Sequence, residues 1–205
     1  MSQPVEMTVF YDFGCPWVYR IARWLDQVRQ GGEYEPQVTW RAFPLEQVNS
    51  PDGPEWGLWE KESRVRSKSR AAFEAALAAK RQGDDAFERF HWGLLKAKWE
   101  DDMDHGRRAT HLLVAESIGL DIAKFEADLE DPSLLSEIGA DYTDARNIHG
   151  VFGTPTVVFP NGGASYLKLT AKFPAEDASK FFNSFVATVR DQPDVLEIKR
   201  PTPPQ

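Results

Sequence analysis

Cysteine is almost missing from this chain: Cys15 is the only one in 205 residues. A single cysteine excludes any disulfide within the chain, and with it a dithiol redox cycle completed by one molecule. Long apolar runs are missing as well. No stretch approaches the ~20 residues that a membrane helix requires, so no membrane span is expected. The first seven residues hold neither a basic region nor an apolar one, so no secretory leader is expected. With no disulfide and no leader, a reducing, cytoplasmic setting is the expectation. Cationic charge is in deficit, with 24 Lys and Arg against 32 Asp and Glu and a net charge of −8. Such a surface repels phosphate backbones, which argues against nucleic acid as a partner. No phosphate-cradling glycine loop, dinucleotide fingerprint or serine nucleophile elbow appears. The four histidines lack metal-site spacing, so no metal is expected.

What is present is a soluble globular composition, 41% hydrophobic and 12% aromatic. Met7 to Asp12 reads as a buried strand, and Phe13-Gly14 breaks it. Pro16 suits the first turn of a helix, which Trp17, Ile21, Trp24, Leu25 and Val28 continue at helical spacing to Gly31-Gly32. A second strand covers Val38 to Phe43, completing a βαβ unit. From Pro54 to His149 the strand signal disappears, and the spacing predicts helices over Trp56–Arg81, Asp84–Trp99, Gly106–Ile118, Ile122–Leu129 and Ser133–Ile148. Thr156 to Phe159 is again a strand. Pro160 to Gly163 turns it toward a partner at Ser165 to Leu169, and Pro174 can open a last helix carrying Phe181, Phe182, Phe185, Val186 and Val189. The predicted class is α/β: a central mixed sheet flanked by helices, built from residues 1–50 and 149–205, with an all-helical insertion at 51–148.

Cys15 stands where the first strand gives way to the first helix. The orphan N–H groups of that first turn and the helix dipole both favour a thiolate there. A lone cysteine in another setting would more often be an inert core residue. The second feature is Gly153-Thr154-Pro155, directly before a strong strand. A cis bond at Pro155 would expose the N–H and C=O of Thr154 to an extended or thiol ligand. Trp17 is read as a core residue or a wall beside the site. Lys61, Arg64, Arg66, Lys68 and Arg70 form a local basic run. It is either a solvated helix face paired with Glu62 and Glu74 or a receiver of substrate carboxylates. Asp101, Asp102, Asp104 and His105 read as a solvated acidic loop, and His149 lies close in sequence to the Pro155 loop.

The segment from Phe10 to Tyr19, with Cys15-Pro16-Trp17-Val18 at its centre, resembles the active-site segment of the DsbA-like branch of the thioredoxin superfamily. Gly153-Thr154-Pro155-Thr156 resembles that branch's cis-proline loop. The same opening is similar to the serine-bearing segment of 2-hydroxychromene-2-carboxylate isomerases and kappa-class glutathione transferases. The closing Leu196 to Arg200 and its proline-rich tail are similar to mycothiol-dependent actinobacterial members. The resemblance covers essentially the whole chain and is sharp only at the two motifs. It implies a thioredoxin fold, Cys15 as the catalytic thiol and Gly153, Thr154 and Pro155 as the thiol-substrate loop.

The chain departs from the redox family at Val18, where that family carries its second cysteine. The resemblance then implies monothiol chemistry. Cys15 attacks a disulfide or is capped by a small thiol of the glutathione or mycothiol type, and an external thiol releases it. Such a thiol would be a co-substrate, with no cofactor tightly bound. The expected partners are that thiol and a small-molecule or disulfide substrate, acting on a monomer or a homodimer. Two alternatives stand beside this one: a glutathione-dependent isomerase or transferase in which Cys15 replaces the relatives' serine, and a non-catalytic binding module.

Overall fold

The computed structural model describes residues 2–51, 57–60 and 67–200. Strand β1 (Gln3–Tyr11) is followed by helix α1 (Pro16–Gly31) and strand β2 (Tyr34–Ala42). The helices α2 (Leu45–Val48), α3 (Lys68–Lys80), α4 (Asp84–Trp99), α5 (Arg108–Ser117), α6 (Ile122–Asp128) and α7 (Ser133–Asn147) come next. Strands β3 (Thr156–Val158) and β4 (Ala164–Tyr166) and helix α8 (Ala178–Val189) complete the described chain. The sheet order is β2-β1-β3-β4. β1 and β2 are parallel, and the other two pairings are antiparallel. This is the expected mixed sheet flanked by helices.

β1 lies inside the sheet, so both of its faces are covered. Val5, Met7 and Val9 point to one side, where they pack with Ile21, Trp24, Leu25 and Val28 of α1 and with Phe182, Phe185 and Val186 of α8. That alternation is what a strand's period of two produces, and the α1 residues recur at helical spacing. Trp24, fully enclosed, still needs a partner for its indole N–H, which donates to the carbonyl of Ala178 at 3.2 Å. Phe10 points to the opposite face and packs with Phe43, Ala145, Val151 and Val158 under α7. α1 ends because Gly32 takes φ 73°, and its N–H returns to the carbonyl of Arg29 at 3.0 Å.

β1 and β2 begin four residues earlier than the sequence suggests. Pro4 and Pro36 lie in the added residues, where β2 is an edge strand and β1 is paired on one side only. A missing N–H is tolerated in both places. β4 in turn stops at Tyr166, with Leu167 adding one further bond to the carbonyl of Pro155 at 3.2 Å. The helix expected from Trp56 to Arg81 is observed only from Lys68 to Lys80, preceded by a single 3₁₀ turn at Leu58–Glu60. Ser67 caps α3 by accepting the N–H of Arg70 at 3.0 Å. The remainder of that expected helix, 56 and 61–66, lies outside the described residues, as do Lys61, Arg64 and Arg66 of the basic run. Before α8, Pro174 opens a short 3₁₀ turn at Ala175–Asp177 rather than the helix itself.

One apolar cluster joins the end of β1 and the start of α1 to the helices between β2 and β3. Tyr11, Phe13, Cys15 and Val18 share it with Phe73, Ala76, Phe90, Leu94, Phe125 and Leu134. Alanines at 72, 75, 76, 78 and 79 let α3 sit close on nearly all sides. The helical block is therefore packed directly on the segment that carries Cys15. Among the described residues no helix is long and apolar enough to cross a membrane.

Candidate active site

β1 ends at Tyr11, and the chain turns through Asp12, Phe13 and Gly14 to bring Cys15 to the N-cap of α1. Two bonds make that turn. The N–H of Cys15 donates to the carbonyl of Asp12 at 3.0 Å, and the N–H of Gly14 donates to Asp12 Oδ1 at 2.7 Å. Pro16 follows as the first helical residue, where its fixed φ suits the helix and no N–H is missed. Cys15 is 4% exposed. Its Sγ donates to the carbonyl of Thr154 at 3.3 Å, across 139 residues of chain. No amide of the first turn reaches the sulfur, so the sulfur–amide bonding expected from the sequence is replaced by this contact.

Thr154–Pro155 is a cis peptide, and Gly153, Thr154 and Pro155 are all buried beside Cys15. The structure thus joins the two sequence motifs into one site. Val18 is wholly buried in the apolar cluster, one turn into α1. It stands three residues after Cys15, and its N–H donates to the Cys15 carbonyl at 3.1 Å. Trp17 is half-buried; its ring packs against that cluster and also meets two cations. The Arg20 guanidinium lies 4.3 Å from the ring centroid and the Lys168 ammonium 5.3 Å from it.

Asp12 is the residue the sequence reading left without a role. It is buried, and besides Gly14 it accepts the N–H of Leu45 at 2.7 Å and the hydroxyl of Ser69 at 2.8 Å. One carboxyl therefore ties the Cys15 turn to the starts of α2 and α3. Burial pushes its pKa up, only partly opposed by the Leu45, Gly14 and Ser69 donors. Glu46 reinforces the junction by accepting the N–H groups of Lys68 and Ser69, both at 3.1 Å. His105 is the other residue not singled out as part of the site. It turns inward from the acidic loop, and a Cβ on Gly14 would stand 3.4 Å from its Nε2. Burial lowers its pKa to about 4, so the ring that borders the Cys15 turn is neutral. His111 holds the same loop through a 2.7 Å contact between its Nε2 and the carbonyl of His105. His105 is distant from Cys15 in sequence, and only the fold brings it to the Cys15 turn.

The remaining candidates separate from the site. Lys68 pairs with Asp104 at 3.0 Å and Arg70 with Glu74 at 3.2 Å, so the described part of the basic run is engaged with carboxylates. His149 packs on Phe10, ring centroids 5.6 Å apart, on the far face of the sheet. Tyr19 donates its hydroxyl to Glu100, and burial together with that carboxylate raises its pKa to about 12. No group of three or more metal-ligating side chains is gathered among the described residues.

Residues 6–183 match the family model described as a DSBA-like thioredoxin domain. The chain belongs to this family. No curated protein sequence matches it. Several solved structures share the fold. A thioredoxin-like oxidoreductase from Silicibacter pomeroyi DSS-3 is 22% identical, with a TM-score of 0.58 over 91% of this chain and 87% of that one. The cytosolic disulfide reductase DsbM from Pseudomonas aeruginosa is 18% identical, with a TM-score of 0.59 over 89% and 98%. A second structure of DsbM contains GSH. A 2-hydroxychromene-2-carboxylate isomerase is 14% identical, with a TM-score of 0.62 over 94% and 100%. Two oxidoreductases and an isomerase thus share this thioredoxin-like fold.

The buried loop yields a first prediction. Thr154 Oγ1 is enclosed and has no hydrogen-bond partner, and a desolvated hydroxyl without a partner costs ~1–3 kcal/mol. Thr154→Val keeps the shape and removes that group. Chemical denaturation is expected to show the variant as stable as the parent or up to ~1 kcal/mol more stable. A loss beyond ~1 kcal/mol would show that the hydroxyl is bonded in the folded protein.

Proposed function

We propose that this protein is a thiol-disulfide oxidoreductase of the DsbA-like family that works through Cys15 alone, with a small external thiol completing each cycle. The observation that carries the reading is the placement of Cys15 Sγ at the start of α1, bonded to the Thr154 carbonyl, in a chain with no second cysteine. The sulfur is buried beside the exposed Gly14, so the partner must be slim, and the reaction is thiol–disulfide exchange. The Cys15 thiolate attacks one sulfur of RS–SR′. A bond forms between Cys15 and the RS sulfur, the S–S bond of the substrate breaks, and R′S⁻ leaves and takes up the proton that Cys15 gave up. An external thiolate R″S⁻ then attacks the RS sulfur, forming RS–SR″ and returning Cys15 as thiolate. A second round with another R″SH yields RSH and R″S–SR″. The substrate is then reduced to two thiols and the external thiol is oxidised. A lone cysteine survives as a thiol in a reducing compartment, which is where we place this activity.

Mass spectrometry of the full-length protein after exposure to glutathione disulfide tests the reading. A single adduct on Cys15, removed by added thiol, is the expected result, and Cys15→Ser is expected to lose both the adduct and any disulfide turnover. Absence of an adduct on the parent protein would refute single-thiol exchange. Glutathione-dependent isomerase turnover that survives in Cys15→Ser would move the protein to the non-redox branch of the family.

A further inference from the structure

We infer that the mouth of the Cys15 site selects anionic, carboxylate-bearing disulfides, through Arg20 and Lys168. This rests on the single-thiol reading and names the chemical class of its partner.

With a net charge of −8 the protein repels anions on average. Within a Debye length of the sulfur, about 8–10 Å at moderate salt, the nearest charges decide instead. Lys168 is held beside both halves of the site by two independent contacts. Its ammonium lies 5.3 Å from the centroid of Trp17, which is two residues from Cys15, and 5.1 Å from that of Tyr166. Tyr166 abuts the other half of the site, since a Cβ on Gly153 would stand 3.4 Å from its ring. The chain leading to Lys168 is also hydrogen-bonded to that half, through the N–H of Leu167 and the carbonyl of Pro155 at 3.2 Å. Lys168 therefore spans the gap between the helix turn bearing Cys15 and the loop bearing Thr154.

Arg20 supplies a second positive charge, with its guanidinium 4.3 Å from the Trp17 ring. Its guanidinium donates to the carbonyl of Leu169 at 3.2 Å, which fixes the side chain without neutralising it. Neither cation is ion-paired with a described carboxylate, whereas Lys68 and Arg70 of the basic run are. Glu100, near the same helix, is held by the Tyr19 hydroxyl. Phe152, 63% exposed and 5.1 Å from the Tyr166 ring, offers an apolar surface beside the charge. A disulfide that carries carboxylates on an otherwise aliphatic body meets both features. Of the two small-thiol types considered, the carboxylate-bearing glutathione type fits, and a neutral glycosidic thiol does not use the cations.

Three probe disulfides measure this on the full-length protein: glutathione disulfide (anionic), hydroxyethyl disulfide (neutral) and cystamine (cationic). Second-order rates of adduct formation on Cys15 are each divided by the rate of the same probe with free 2-mercaptoethanol, which removes intrinsic reactivity. The anionic probe is expected to lead the cationic one by about tenfold or more at low salt, and the gap to shrink in 0.5 M salt. Lys168→Glu is expected to close or invert the gap, and Arg20→Gln to narrow it. Equal normalised rates for all three probes, or a gap that Lys168→Glu leaves unchanged, overturn charge selection while leaving single-thiol exchange intact. No adduct with any probe overturns single-thiol exchange and this inference with it.

Discussion

Asp12→Ala is expected to destabilise the protein by ~3–5 kcal/mol, because three donors lose one buried acceptor together. The N–H of Gly14, the N–H of Leu45 and the hydroxyl of Ser69 all converge on that carboxyl. Gly14 is exposed, so water can replace its bond. Ser69 is buried and Leu45 is half-buried, and they have no such substitute. At this chain length the loss corresponds to about a 10 °C fall in Tm. Asp12→Asn keeps the shape and one acceptor, but its NH₂ must face a donor, so an intermediate loss is expected. The pH dependence follows from the direction of the Asp12 shift. Burial holds the folded-state pKa above its unfolded value of ~3.9, so the folded chain binds more protons between those two values. The stability this group contributes is therefore fullest below ~3.9 and is lost as pH rises through the folded-state pKa. Unfolding of parent and Asp12→Asn at pH 4 and pH 7 is expected to show the difference narrowing toward pH 7. An Asp12→Ala variant within ~1 kcal/mol of the parent would remove the carboxyl from its place as the tie between the Cys15 turn and the helical block.

The parts of this site that were legible beforehand are those written in local chemistry. Cys15-Pro16 declares itself because a strand, a glycine break and a helix-opening proline are contiguous. Gly153-Thr154-Pro155 does so because a proline stands directly before a β-branched strand. Asp12 was visible only as the end of a strand. Its meaning depends on Leu45 and Ser69, 33 and 57 residues away, and no periodicity in either segment points back to it. His105 was read as part of a solvated acidic loop. Asp104 does reach out to Lys68, but His105 turns inward against Gly14, a distinction that polarity alone cannot make. The basic run misled for the opposite reason. A cluster of like charges is conspicuous in sequence, yet Lys68 and Arg70 spend their charge on Asp104 and Glu74. Lys168, isolated in sequence, is the cation the fold brings to Trp17.

Val18→Cys is expected to convert the protein from a device that depends on an outside thiol into a self-contained dithiol. The backbone is already arranged for it. The N–H of Val18 donates to the carbonyl of Cys15 at 3.1 Å, closing a turn that keeps the two Cα atoms within ~7 Å, the outer limit for a disulfide. Val18 is wholly buried, and exchanging its two methyls for one sulfur costs about 1 kcal/mol, too little to threaten the fold. A glutathione adduct on Cys15 of the parent waits for a second molecule of thiol. In the variant the new thiol stands one turn away, and its effective concentration exceeds that of millimolar external thiol by at least about a hundredfold. The adduct is therefore expected to decay at least about a hundred times faster, leaving a protein 2 Da lighter than its reduced form with no alkylatable thiol. The parent, treated alike, is expected to keep one adduct that only added thiol removes. A variant that retains a stable adduct on Cys15 beside a free, alkylatable second thiol would show that α1 holds the two positions apart. The valine would then be a symptom of a site already unable to close a disulfide, rather than the cause of its dependence on an external thiol.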